Sequence, residues 1–333
     1  MRREDLPPHK TATYVLPRWK VVYVSVPKAA CTSIKWLIAE LQEEDPARFH
    51  TALTREVGRG MTIHRRRRWQ RTPMLHGLPD EELADVATER GWLVFAVVRH
   101  PTERLWSAWQ SKFLLREPKW VTRFGDEPWF PRVPEATQDV VEDFQRFVRS
   151  LADVPDQRVL RDRHFQPQTQ LVTPDRTPYT RIYKTREIPE LLGDLDAHLR
   201  AQGWDGSLRL DAKNETPLRP LAAMFSPETI DGIRRVYGPD FEHFGYEKVE
   251  PDALDPSDHY DEAAIRMLGR LVERGERIGD LAVRAQRLYV ESNAHRREAR
   301  DLRRRVVQLE RASVNGGLAR KVRRRVLGAL TRA

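Results

Sequence analysis

The chain has 333 residues, of which 40 % are hydrophobic and 32 % charged, and a single cysteine, Cys31. One cysteine excludes an internal disulfide framework and fits a reducing compartment. The longest apolar run, "WLVFAVV" at 92–98, falls far short of the ~20 residues that span a bilayer. The net charge of +9 belongs to the tail: residues 261–333 hold 19 Lys and Arg against 9 Asp and Glu, leaving 39 against 40 elsewhere. The body is therefore not expected to bind nucleic acid.

Residues 1–19 read as an irregular lead-in without the apolar stretch of a signal peptide. "KVVYVSV" (20–26) is a β-branched run that predicts a buried strand, and "TSIKWLIAELQEE" (32–44) has helical spacing with Thr32 or Ser33 as a natural N-cap. Residues 46–75 are polar and include "HRRRRWQR" (64–71), either a solvated loop or a rim that attracts an anion. "PDEELADVATERG" (79–91) predicts a helix stopped by Gly91, "WLVFAVV" a second buried strand, and "RHPTERLWSAWQSKFL" (99–114) a turn and helix. Residues 116–136, rich in Pro, Trp and Phe, predict an ordered loop or lid; its Trp120, Trp129 and Phe130 either stack on a sugar or pack.

Further helices are expected over 139–153, 188–203 and 226–246, with a strand at 179–185. The alternation predicts an α/β body with a P-loop-like parallel sheet flanked by helices, over 1–250. A C-terminal coiled-coil extension follows over 261–314. Its heptads run from Ala264 to Leu309, weakened at Ser292 and His295. A short basic amphipathic segment closes the chain at 315–333.

The stretch "VSVPKAACTSIK" (24–35) carries the first chemical signal. A loop between a buried strand and a helix N-terminus presents backbone N–H groups and a partial positive charge. Lys28 adds a full charge, and Thr32 and Ser33 add hydroxyls. The nucleotide-triphosphate pattern G-x-x-x-x-G-K-[ST] is absent, so the bland reading, a lysine ending a strand before a capped helix, stays open. Arg99 follows the second strand, and Ser107 lies eight residues on. At the carboxyl edge of a parallel sheet these two can hold a second, separate phosphate.

At these residues the chain resembles the sulfotransferases. "VSVPKAACTSIK" resembles their 5′-phosphosulfate loop, and "VVRHPTERLWSAWQSKF" their 3′-phosphate segment. "HFQPQ" (164–168), "RIYKTREIPELLGDL", "KNETP" and "IRRVYGPDFEHFGY" resemble later blocks of the carbohydrate group that includes the HNK-1, chondroitin and dermatan types. The likeness runs in order over roughly residues 20–248. It implies 3′-phosphoadenosine 5′-phosphosulfate as donor and no metal. Lys28, Ala29, Ala30, Cys31, Thr32 and Ser33 would hold the 5′-phosphosulfate, Arg99 and Ser107 the 3′-phosphate, and Lys28 would also stabilise the leaving oxygen. The base would be His76 in "TPMLHGLPDEEL", with His164 as rival. Lys184 and Asn214 face donor or acceptor, Arg104 braces the 3′-phosphate segment, His100 is structural, His64 lies on the surface, and Cys31 fills space.

The implied activity is sulfuryl transfer to a hydroxyl of a carbohydrate or glycolipid; the Arg- and Ala-rich composition and single cysteine point to a bacterial, cytoplasmic enzyme. The alternative is a non-catalytic nucleotide-binding scaffold assembled through the coiled coil. The tail is expected to join copies of the chain through 264–309, and its end to touch an anionic membrane surface through 318–330.

Overall fold

A computed structural model describes residues 1–50, 61–154, 158–210, 217–252 and 254–312. Asn214 and the basic segment 318–330 lie outside the described residues. Among the described residues one sheet has strand order β1-β2-β3-β4, formed by β1 (Ala12–Leu16), β2 (Val21–Ser25), β3 (Leu93–Val98) and β4 (Arg181–Lys184). β2, β3 and β4 are parallel, as expected. β1 runs antiparallel to β2, from Ala12 opposite Ser25 to Leu16 opposite Val21. The segment read as an irregular lead-in thus supplies the edge strand. "ATYVL" is β-rich, and the three-residue turn Pro17–Trp19, closed by Lys20 at φ 48°, returns the chain as a tight reversal.

Parallel pairing demands long crossovers. The first contains α1 (Cys31–Leu41) and the short α2 (Asp80–Asp85). The helix expected over 79–91 stops after Asp85, and a separate turn, Thr88–Arg90, ends at Gly91, which takes φ 75°. The second crossover contains α3 (Pro101–Trp109), α4 (Pro118–Phe124), α5 (Thr137–Asp153) and α6 (Gln168–Val172). After β4 come α7 (Ile188–Ala201), α8 (Pro227–His243) and the 51-residue α9 (Glu262–Ala312).

Three buried clusters hold these elements. Tyr14, Tyr23 and Phe95 on one sheet face pack with Ile34, Leu37 and Ile38 of α1 and Leu191, Leu195 and Leu199 of α7. Val15, Val22 and Val94 on the other face pack with Leu75, Leu83 and Trp92. A third cluster has no strands: Trp106, Trp109, Phe113, Phe144 and Phe147 meet Ile233, Tyr237 and the start of α9 through Ile265 and Leu268. Each such side chain contributes about 1.5–3 kcal/mol on burial, so the helical half is held as firmly as the sheet. The lid expectation changes here. Trp120 and Trp129 are 2 % and 4 % exposed, packed around Phe113, and cannot stack on a sugar.

Candidate active site

The parallel strands end together, so the segments after Ser25, Val98 and Lys184 share one sheet edge. The loop after β2 reaches α1 without glycine by placing Lys28 at φ 69° and Ala30 at φ 53°. Left-handed backbone costs a residue with a Cβ roughly 1–2 kcal/mol. Such strain persists where surrounding structure holds it, and it clusters at functional sites. Ala29 is fully buried beneath the loop. The N-cap is Ala30, not Thr32 or Ser33, and it makes no side-chain cap. The positive end of the α1 dipole is therefore left to an incoming anion. Cys31 is a buried free thiol.

Lys28 Nζ donates to Ser111 Oγ at 3.0 Å. Burial, and then the charges of Lys112 and Arg99, push the Lys28 ammonium down to about 8. Ser111 lies one turn beyond Ser107, in the widened π turn Gln110–Leu114. Ser107 itself is buried in α3. Lys112 is paired with Glu117. Arg99 is held by its backbone: its N–H donates to Gln168 Oε1 at 2.9 Å, and its carbonyl accepts from Gln168 Nε2 at 2.8 Å. Its guanidinium pairs with Glu103 at 3.1 Å and remains 28 % exposed.

Arg104, fully buried, is a brace. It donates to the carbonyls of Pro27 (3.0 Å), Gln166 (2.9 Å) and Arg163 (2.6 Å). One side chain thus ties the loop before Lys28 to the "HFQPQ" block. That block brings His164 into electrostatic reach of Lys28 and Lys112. His164 Nδ1 lies 2.7 Å from Asp162 Oδ1. A carboxylate only accepts, so Nδ1 carries the hydrogen and the lone pair of the neutral ring is on Nε2. Burial lowers the His164 pKa against the raising effect of Asp162, and Lys112 and Lys28 lower it further. Burial would raise Asp162, but the side-chain and backbone bonds from His164 outweigh it and hold the carboxyl well below its ordinary range.

His64 was expected at the surface. It is exposed there, and both ring nitrogens are engaged. Nε2 is 3.0 Å from Thr32 Oγ1, and Nδ1 is 3.1 Å from Lys35 Nζ. An ammonium only donates, so Nδ1 accepts and Nε2–H donates to Thr32. Desolvation, then Lys35 and His164, push His64 down to about 3. The ring is neutral, but its lone pair is occupied.

His76 precedes β3 in the turn Leu75–Gly77. Leu75, its neighbour, packs on the sheet face of Val15 and Val22, away from α1. The His76 ring bonds the Pro7 carbonyl at 2.8 Å and lies 4.7 Å from the His9 ring. These contacts tie His76 to the N-terminal segment. Lys184 is at the right edge, but its ammonium donates to the Gly245 carbonyl at 3.0 Å and covers the Tyr246 ring. His100 is buried, with Nε2 on the Lys248 carbonyl, as a structural residue would be.

Sequence reasoning missed Lys35, Ser111, Lys112 and Asp162. Two had a signal: Lys35 is one helical turn from Thr32, and Asp162 and His164 alternate in "RDRHF". Ser111 had none, because the π turn that offers it cannot be read from spacing. Among the described residues no group of His, Cys, Asp and Glu is arranged to hold a metal, and no helix is long and apolar enough to cross a membrane. A cavity of about 430 Å³ between Trp19, Leu37 and Trp204 lies at the far end of α1 from the loop, and it carries none of these groups.

Lys28 and Arg99 thus follow neighbouring parallel strands at one sheet edge, and His164 lies within electrostatic reach of Lys28. Residues 11–247 match the model of a family described as the sulfotransferase family. No curated protein and no solved structure matches the chain.

Proposed function

The chain belongs to the sulfotransferase family, and from that premise we propose that it takes the sulfuryl group of 3′-phosphoadenosine 5′-phosphosulfate. The proposed acceptor is a hydroxyl of a carbohydrate or glycoconjugate. The observation that supports the reading is an Asp162–His164 pair, with the neutral ring's lone pair on Nε2, within electrostatic reach of Lys28 at the strained loop. The donor supplies a sulfuryl group already activated by its phosphate leaving group.

The residues divide the remaining work. The uncapped first turn of α1 and Thr32 receive the 5′-phosphosulfate. Arg99, positioned by Gln168, receives the 3′-phosphate, with Ser107 one to two turns beyond. Lys28 leaves Ser111 to neutralise charge growing on the bridging oxygen. Nε2 of His164 takes the acceptor proton, and Asp162 stabilises the imidazolium that forms. Bound phosphosulfate also offsets the positive field of Lys28 and Lys112, which raises the basicity of His164 when it is needed. His64 positions Thr32 and Lys35 rather than moving a proton. The carbohydrate acceptor rests on the ordered likeness of 164–168 and the later blocks to carbohydrate sulfotransferases.

The test is transfer of label from [³⁵S] donor to a panel of glycans, glycolipids and phenols. Transfer to a glycan that His164→Ala abolishes, with donor binding kept, supports the reading. Transfer that survives His164→Ala but fails in His76→Ala returns the base to the loop before β3.

A further inference from the structure

The long helix α9 carries an apolar seam that its own body does not use. At its root, Leu268 and Val272 are buried against the body. Gly275 lies against Leu115, where a Cβ would stand 2.8 Å from the carbonyl oxygen, and Glu276 pairs with Arg116 at 3.1 Å. These contacts come from one side of the helix. In the heptads counted from Ala264 they occupy positions b, e and f, so the a and d positions are turned away. From Ile278 onward, the a and d residues Ile278, Leu281, Leu288, Leu302 and Leu309 are 42–66 % exposed. The seam from Ile278 to Leu309 is about 48 Å long at 1.5 Å per residue.

We propose that this seam pairs with the same seam of a second copy of the chain, as a parallel, in-register two-stranded coiled coil. The charges that flank the seam choose both the partner and the direction. In a parallel pair, a g residue meets the e residue of the following heptad on the partner. Glu291 then meets Arg296 of the second copy, and Glu298 meets its Arg303, each pair occurring twice by symmetry. Arg284 falls beside Tyr289, a cation beside an aromatic ring. An antiparallel pair over the same seam brings g against g. It sets Arg284 against Arg305 and Glu291 against Glu298, like charges at every charged g contact. An unrelated helix would match this pattern only by repeating it, whereas a second copy matches it by construction. Ser292 and His295, polar at a and d, keep polar partners only in one alignment, so they fix the register while the flanking charges fix the direction, at a cost in stability. A parallel pair rooted on two bodies sets both bodies at the same end of the coil, so that two catalytic sites are presented side by side.

Sedimentation of the full chain at tens of micromolar, together with a cysteine cross-link, tests this. Wild type is expected at twice the monomer mass. Leu302→Cys should form an interchain disulfide under mild oxidation, because only parallel, in-register helices bring Leu302 to its own copy. Arg297→Cys, at an f position on the outer face, should not. The double variant Leu288→Glu/Leu302→Glu should sediment as a monomer while keeping its affinity for 3′-phosphoadenosine 5′-phosphate, which reports an intact body. A wild-type monomer, a trimer, a dimer that survives the double variant, or Leu302→Cys cross-linking no better than Arg297→Cys would each overturn the proposal.

Discussion

At the residue scale, two side chains are proposed to bear the chemistry, and their environments make separate predictions. Lys28→Met removes the group proposed to act at the leaving oxygen and should lower kcat/KM about 10²–10³-fold, read by initial rates of label transfer. His164→Ala should cost about 10²–10⁴-fold in kcat with little change in donor affinity. The pH profile is the sharper test. Burial, aided by Lys112 and Lys28, holds the His164 pKa below its usual value near ~6.5, so the acid limb of kcat/KM should fall below that pH. Lys112→Met removes a lowering charge, and the limb should move to higher pH; Asp162→Asn removes a raising one, and it should move lower. His64 makes the stability counterpart. Its ring is held at about 3, while in the unfolded chain it titrates near ~6.5. As pH falls below that value, the unfolded chain takes a proton the native ring refuses, so stability should decline from about 6.5 toward 3. Urea unfolding at stepped pH should show a shallower decline for His64→Asn. Lys28 and Arg99 were readable from their places after buried strands. His164 was legible only as a rival to His76, because its place depends on Arg104 tying a distant block to the loop before Lys28.

At the element scale, the loop after β2 and the Arg104 brace make testable demands. Ala30 is left-handed at φ 53°, where a β-branched side chain is badly accommodated. Ala30→Val should destabilise by about 1–2 kcal/mol and weaken donor binding, whereas Ala30→Gly should be nearly neutral in stability; thermal melting and titration calorimetry separate the two. Arg104→Leu leaves three carbonyls without their donor, each worth about 1–3 kcal/mol when buried unsatisfied. Loss of several kcal/mol in urea unfolding is expected. The strands β2 and β3 and the helices α5, α7 and α8 were plain in the sequence, because apolar periodicity persists through them. β1 was hidden by the prolines around it, and the 116–136 segment read as a lid because its aromatic residues have no regular spacing. Their burial around Phe113 is a tertiary fact.

At the scale of the whole molecule, a nearly neutral body meets a strongly basic tail, and the join is a packed one. Tyr260, Ile265 and Leu268 belong to the same core as α3 and α5, so the root of α9 packs on the body. Gly275→Ala should push the root of α9 away from Leu115 and cost about 1–3 kcal/mol, visible as a lower melting temperature of the body. The central claim remains that this edge moves a sulfuryl group rather than merely holding a nucleotide. The most direct measurement is transfer of [³⁵S] label from 3′-phosphoadenosine 5′-phosphosulfate to a panel of hydroxyl acceptors, beside donor binding, for wild type and His164→Ala. Label on a glycan hydroxyl with wild type, and none with a His164→Ala protein that still binds donor, is the predicted result. Donor bound by both proteins with no label moved by either would contradict it and leave a nucleotide-binding scaffold.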